Sequence, residues 1–260
     1  MNEIKNKSFT NGNVYLLKTD DNYPIEVTDT FLPYYTKNAI GNKQNTLIND
    51  DIGDRTERWM IGVSCMSGCP VGCKFCATGQ LNKCKNLSWE EIVEQVRFIQ
   101  SLNDMEFKQA KEHKVNYTRM GEPFLNIENV KKAIEFIEWE NQNTHHYIST
   151  IGVKDSDFSW IEDNITLQIS LHSLDENKRN WLIPFKNKMT IKELGKIRTK
   201  SNLKTTINLT LVDEEDFNIN ILKEHFDPEY FFIKLSPINK NKISEKNNLG
   251  SGIIRGINLV

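Results

Sequence analysis

Apolar residues along the chain fall into short dense blocks separated by stretches of helical spacing. WMIGV (59–63) is apolar nearly throughout, as a strand buried on both faces of a parallel sheet should be. VNYT (115–118), HYISTIG (146–152), ITLQISLHS (165–173), KTTINLTLV (204–212) and YFFIKLSPI (230–238) predict further strands, with clear alternation in ITLQISLHS. Ser88 to Glu91 reads as a capping box, and EIVEQVRFIQSL then repeats apolar residues at the helical period. Further helices are predicted from an Asn126 cap to Trp139, from Thr190 to Lys200, and from Phe217 to His225. Strands alternating with helices imply βαβ units and a parallel sheet. About six such units fit an α/β fold in the form of a curved, partial (β/α)6 barrel. Residues 1–58 show only short strand-like runs, VYLLK (14–18), IEV (25–27) and FLPYY, with a polar connection. They predict a small β-rich extension packed on a core of residues 59–240. The tail, 241–260, is polar and then apolar, and reads as a last strand closing the sheet.

Composition narrows the class. A chain of 260 residues suits one barrel-type domain, and 38% hydrophobic with 26% charged residues describes a soluble globular protein. No apolar run is long enough for a membrane span, and MNEIKNKSFTNGN lacks the apolar region of a secretory signal. Five cysteines, three of them in one motif, argue for a reducing, cytoplasmic setting rather than a disulfide framework. The net charge of −2 and pI near 6.2 give no global nucleic-acid signal. Locally, residues 173–204 hold nine basic residues against Asp175, Glu176 and Glu193. Such a face can track a phosphate backbone, although a solvated helix surface is the commoner meaning.

Chemistry concentrates in Cys65 to Gln80, where Cys69, Cys73 and Cys76 form C-x3-C-x2-C. Three thiolates so spaced can hold three corners of a cubic iron–sulfur cluster and leave the fourth iron open, as catalytic metal sites do. Gly68, Pro70 and Gly72 allow the tight wrap between ligands. Zinc would want a fourth Cys or His at regular spacing, and Cys84 has no paired second half. Farther on, Gly121-Glu122-Pro123 ends a strand. The proline biases Glu122 toward extended geometry, and a carboxylate with free carbonyls there can accept from a cation.

The cysteine spacing with Phe75 just before its last cysteine resembles the radical S-adenosylmethionine (SAM) superfamily. The resemblance implies a [4Fe–4S] cluster on Cys69, Cys73 and Cys76 whose open iron chelates S-adenosyl-L-methionine. One electron then releases a 5′-deoxyadenosyl radical, and a flavodoxin or ferredoxin is the implied electron donor. CKFCATG, MGEP, Asn126, Ser149-Thr150-x-Gly152, Ser170-Leu171-His172 and Pro237-x-Asn239 occur in an order similar to that of the branch that methylates adenine in ribosomal and transfer RNA. By that likeness, which spans Thr56 to Asn239, Phe75, Gly121, Glu122, Ser149, Ser170, His172 and Asn239 belong to the SAM site. Taken singly, His172 would be an ordinary hydrogen-bonded strand histidine and Ser149 a strand-end hydroxyl.

The chain departs from that branch at its two methyl-relay cysteines. The first of those positions is Gly62, and no cysteine follows Cys84. Glycine cannot replace a nucleophilic thiolate. Cys65 and Cys84 are the remaining thiols, more readily structural than substitutes. The expectation is therefore a radical SAM enzyme that abstracts hydrogen from an unidentified substrate, with no catalytic residue assignable. RNA adenine C-methylation with rearranged cysteines and a non-catalytic iron–sulfur or SAM-binding protein are the alternatives. The substrate side of the barrel is thinly covered, which leaves room for a partner protein.

Overall fold

The computed structural model describes residues 1–33, 52–81, 83–210 and 217–250. The parallel wall begins with β4 (Arg58–Val63), after three antiparallel strands, β1 (Asn2–Phe9), β2 (Gly12–Lys18) and β3 (Pro24–Leu32). A short hairpin pairs β5 (Met66–Ser67) with β6 (Lys85–Asn86). The wall continues through β7 (Glu112–Tyr117), β8 (His145–Thr150), β9 (Ile165–Ser170), β10 (Thr205–Thr210) and β11 (Phe231–Ser236). In the sheet, the nine strands run β1-β2-β3-β4-β7-β8-β9-β10-β11.

Within this sheet, from β4 onward all pairs are parallel and each strand lies beside the sheet's preceding one. With crossovers of one hand, that order places every connection on the same face, so the sheet curls as an incomplete barrel rather than winding both ways. The helices are α1 (Trp89–Ser101), α2 (Ile127–Glu140), α3 (Glu176–Leu182), α4 (Ile191–Leu194), α5 (Ile219–His225) and α6 (Lys242–Lys246). Between β8 and β9 no helix forms; Phe158 and Ile161 are buried from that connection instead.

Strands of the parallel wall send one set of side chains outward into the core, for example Trp59, Ile61 and Val63, or Ile165, Leu167 and Ile169. α1 is fixed by the full capping box on Ser88 and Glu91, and it buries Ile92, Val93, Val96 and Ile99. Its Gln95 sits in the same apolar face because it has a job there. Its Oε1 accepts from the Ser64 backbone N–H at 2.8 Å, and its Nε2 donates to the Ser64 carbonyl at 2.9 Å. This pair holds the chain just where β4 gives way to the cysteine loop.

Several expectations change. The extension does not merely pack on the core: β3 pairs with β4, Thr28 opposite Gly62, so the extension continues the sheet. The helix expected over Thr190–Lys200 stops at Leu194, where tighter bonds from Lys196 N to the Glu193 carbonyl and from Ile197 N to the Leu194 carbonyl replace the helical ladder. The tail begins as a helix, α6, where a closing strand was expected, and 251–260 lie outside the described residues. So do the end of FLPYY and the polar connection up to residue 51, and the end of the KTTINLTLV run. Among the described residues no helix is long and apolar enough to cross a membrane.

Candidate active site

The cysteine loop rises from the C-terminal end of β4, where parallel α/β sheets carry their sites. Its base is stitched to the β7 turn: the backbone N–H groups of Cys65 and Met66 both donate to the Met120 carbonyl, at 2.9 and 3.1 Å. Asn126, at the start of α2, donates to the carbonyls of Cys65 and Leu87, each at 2.8 Å. The loop's far side is tied to the end of the chain. Asn241 Nδ2 donates to the Phe75 carbonyl at 2.9 Å, and Asn247 Nδ2 donates to the Lys74 carbonyl at 2.8 Å. Gly68 and Gly72 adopt positive φ, as the wrap between ligands required.

Cys69, Cys73 and Cys76 are all half-buried on this loop. Burial pushes the Cys69 thiol up to about 12 and Cys73 higher still, and each of the two is raised further by its fellow cysteines and by Glu122. Burial thus disfavours the thiolates of Cys69 and Cys73, and a bound cation would favour them. Among the described residues no three His, Cys, Asp or Glu side chains converge on a single-ion site. Three soft thiol donors on one loop suit the chemistry of an iron–sulfur cluster.

Gly121 has φ +103°, and a Cβ there would stand 2.6 Å from Met66 Cβ, so only glycine lets the β7 turn pass beneath the loop. Glu122 is extended (φ −112°, ψ 111°) as the following proline implied. Its carboxyl is 3% exposed and points inward. Oε1 accepts from Phe124 N at 3.1 Å and Oε2 from Ile151 N at 2.9 Å. Burial lifts its pKa to about 7 against these hydrogen bonds and one from Thr150. Glu122 thereby clamps the ends of β7 and β8 together.

The remaining expected residues gather at the same rim. Ser149 Oγ and Ser170 Oγ lie 3.1 Å apart. His172 leaves β9 in the left-handed region at φ +63°. It is buried, its Nδ1 has no hydrogen-bond partner, and burial and the nearby Arg179 hold its pKa down to about 3. Asn239 lies just beyond β11, its carbonyl accepting from Asn241 Nδ2 at 3.1 Å. A buried imidazole nitrogen with no hydrogen-bond partner, packed against Phe75 of the cysteine loop, is a polar group that a bound molecule could satisfy.

One participant went unread in the sequence. Arg179, counted there with a basic surface, is fully buried on α3. It donates to the Met189 and Ile151 carbonyls at 2.6 and 2.8 Å, and its charge is felt at His172. Nothing in its spacing distinguished it from its exposed neighbours Lys186, Lys192, Lys196, Arg198, Lys200 and Lys204, which do form a solvated face. Cys65 is buried with its thiol pushed well up, whereas Cys84 is exposed.

Residues 63–222 match the Radical SAM superfamily. The chain belongs to the radical SAM superfamily. Members of the superfamily use a [4Fe–4S] cluster and SAM. The chain is 38% identical over 168 residues to a probable dual-specificity RNA methyltransferase RlmN of Dictyoglomus turgidum, covering 59% of this chain and 48% of that protein. It is 31% identical over 238 residues to the protein of the same name from Caldicellulosiruptor saccharolyticus, covering 86% and 61%. It thus spans about half the length of the curated relatives it matches. Among solved structures, a radical SAM methyltransferase from Sphaerobacter thermophilus shares the fold, with a TM-score of 0.66 at 21% identity, covering 92% of this chain and 67% of that one.

Proposed function

We propose that this radical SAM protein is an enzyme that generates a carbon radical from SAM and uses it to remove hydrogen from a substrate bound inside the barrel. The observation that carries the reading is that the loop of three half-buried cysteines meets, through Phe75, the buried His172, whose Nδ1 has no hydrogen-bond partner. Cys69, Cys73 and Cys76 would hold the cluster. Phe75, Gly121, Glu122, Ser149, Ser170, His172 and Asn239 would hold SAM. When bound, the pair supplies one-electron cleavage of a carbon–sulfur bond and a primary radical able to abstract hydrogen. The chain's own part is to orient and to exclude water. The Phe75 ring covers His172, the paired serines offer hydroxyls, and the neutral His172 offers one ring nitrogen. A small reductant protein would deliver the electron in the cytoplasm, and a partner protein has room over the open side of the barrel.

RNA is the substrate suggested by the relatives' names, and the thiols here speak against their relay chemistry. Position 62 is glycine, Cys65 is buried, and Cys84 lies on the exposed side of the loop hairpin. The test is anaerobic reconstitution with iron and sulfide, followed by dithionite and SAM. Formation of 5′-deoxyadenosine is expected. Iron uptake without that product would leave a sensor or scaffold, and labelled methyladenine in bulk RNA would restore methyl transfer.

A further inference from the structure

Opposite the helix-covered face, the concave face of the barrel wall is polar, and it encloses a cavity of about 430 Å³. From the lining of this cavity we infer that the substrate is a small phosphate monoester of nucleotide size, its phosphate held by Lys114 and Lys234. The inference deepens the reading above and rests on it for the chemistry done at the upper rim.

The charge balance selects the ligand class. Arg58, buried at the start of β4, gives its Nε to Glu112 Oε2 at 2.6 Å, so those two offset one another. Lys114 Nζ approaches the same oxygen at 2.9 Å and keeps its charge, while Lys234, on β11, has no carboxylate partner among the described residues. Among the described residues, two positive charges remain in one cavity. A terminal phosphate carries close to two negative charges near neutral pH, whereas an internal phosphodiester carries one. The two lysines come from far-apart register positions, Lys114 opposite Met60 and Lys234 opposite Asn208, because strands in a barrel wall are staggered as they tilt.

The rest of the lining suits a planar polar body. Tyr147 presents a ring, which already lies 5.6 Å from Lys114 Nζ. Asn116, Gln168 and Asn208 present side-chain amides, each able both to donate and to accept, as an unsaturated heterocycle or a sugar demands. Ser149 belongs to the same wall, so the cavity runs up to the rim where the cofactor residues gather. A ligand anchored by its phosphate would therefore offer a C–H bond to that rim.

The test is calorimetric titration of the full chain, cluster-loaded but without reductant, using nucleoside 5′-monophosphates, the matching nucleosides, inorganic phosphate and a short RNA lacking terminal phosphates. At least one monophosphate should bind, with its nucleoside about tenfold weaker or more, and added salt should narrow the gap. Lys114→Gln and Lys234→Gln should each weaken the monophosphate about tenfold and leave the nucleoside unchanged. Lys234 is exposed, so its variant serves even if Lys114→Gln fails to fold. Equal binding of nucleotide and nucleoside, binding of inorganic phosphate alone, tighter binding of the RNA, or no binding at all would each overturn the assignment. Because the titration needs no turnover, its failure is distinct from a failure to form 5′-deoxyadenosine.

Discussion

The ring of Phe75 meets the imidazole of His172 edge-on, with centroids 4.8 Å apart and planes at 79°. The contact joins the residue before the last cysteine to the residue that turns out of β9, two segments nearly a hundred positions apart. It links the cysteine loop directly to the exit of β9, where the proposed SAM site would lie. Phe75→Ala should lower unfolding free energy by about 2–4 kcal/mol, somewhat below a full core deletion because the ring is half-buried. Phe75→Leu should keep most of it. Urea denaturation measures both, and equal midpoints for wild type and Phe75→Ala would show that the contact carries no load.

Alanine at Cys69, Cys73 or Cys76 should each abolish retention of iron and sulfide after anaerobic reconstitution. Cys65→Ala and Cys84→Ala should load normally. Cys65 is packed in the core with its thiol 3.5 Å from the Met120 carbonyl, and Cys84 is exposed just before β6. Loss of iron in Cys84→Ala would mean that the cluster has a fourth protein ligand and no open corner. Chemical analysis of iron and sulfide decides it.

What the sequence made legible follows the strength of its local signals. α1 could be placed because a full capping box and a clean apolar stripe agree. β1 could not, since NEIKNKSF is exposed at every position and so carries no alternation. The core strands were visible as apolar runs, while their exits were not: His172 reads as strand in the sequence but turns left-handed, a choice made by tertiary contacts with Phe75 and Asn208. The cysteine triad and the GEP turn were plain from spacing. The inward clamp made by Glu122 and the burial of Arg179 were not, because both depend on backbone groups brought together only by the fold.

Glu122 should make stability fall as pH rises. Its folded pKa, about 7, lies above the usual 4.5 because burial penalises the charge. A raised carboxyl binds more protons in the folded state than in the unfolded one between those values. Its contribution is thus complete below about pH 4.5 and is lost as pH rises through about 7, for a total on the order of 3 kcal/mol. The measurement is the metal-free protein's unfolding free energy against pH, with Glu122→Gln subtracted. A difference curve that is flat or rises over that window would refute the assignment.

His146 should act in the opposite sense. It is buried with Nδ1 3.2 Å from the Tyr117 hydroxyl, and burial holds its pKa down to about 3. The folded state therefore refuses a proton that the unfolded chain accepts below about pH 6.5. Stability from this residue is present above 6.5 and drains away as pH falls toward 3, by a few kcal/mol at roughly 1.4 kcal/mol per unit. His146→Phe should remove that part of the acid sensitivity. Proton NMR of the ring checks it independently: the histidine should stay neutral at pH 5.

By likeness to the RNA-methylating branch, Gly62 stands where a relay cysteine is expected, and its surroundings are tight for a side chain. A Cβ there would stand 2.3 Å from Thr28 Oγ1 and 3.0 Å from Arg119 Cδ. Thr28 is its register partner on β3, and Arg119 is held in position by an ion pair with Glu26. Thr28 is β-branched, so its hydroxyl cannot swing aside freely. Gly62→Ala should cost about 1–3 kcal/mol by overpacking. Thr28→Ala alone should cost little, and the double variant should recover most of the loss, with a coupling of about 1–2 kcal/mol in the cycle. Gly62→Cys should be destabilised in the same way, because its thiol carbon meets the same hydroxyl, so returning the thiol alone would not return the relay. Additive single effects would mean that the pocket around position 62 yields easily, and that its closure is no barrier to a cysteine.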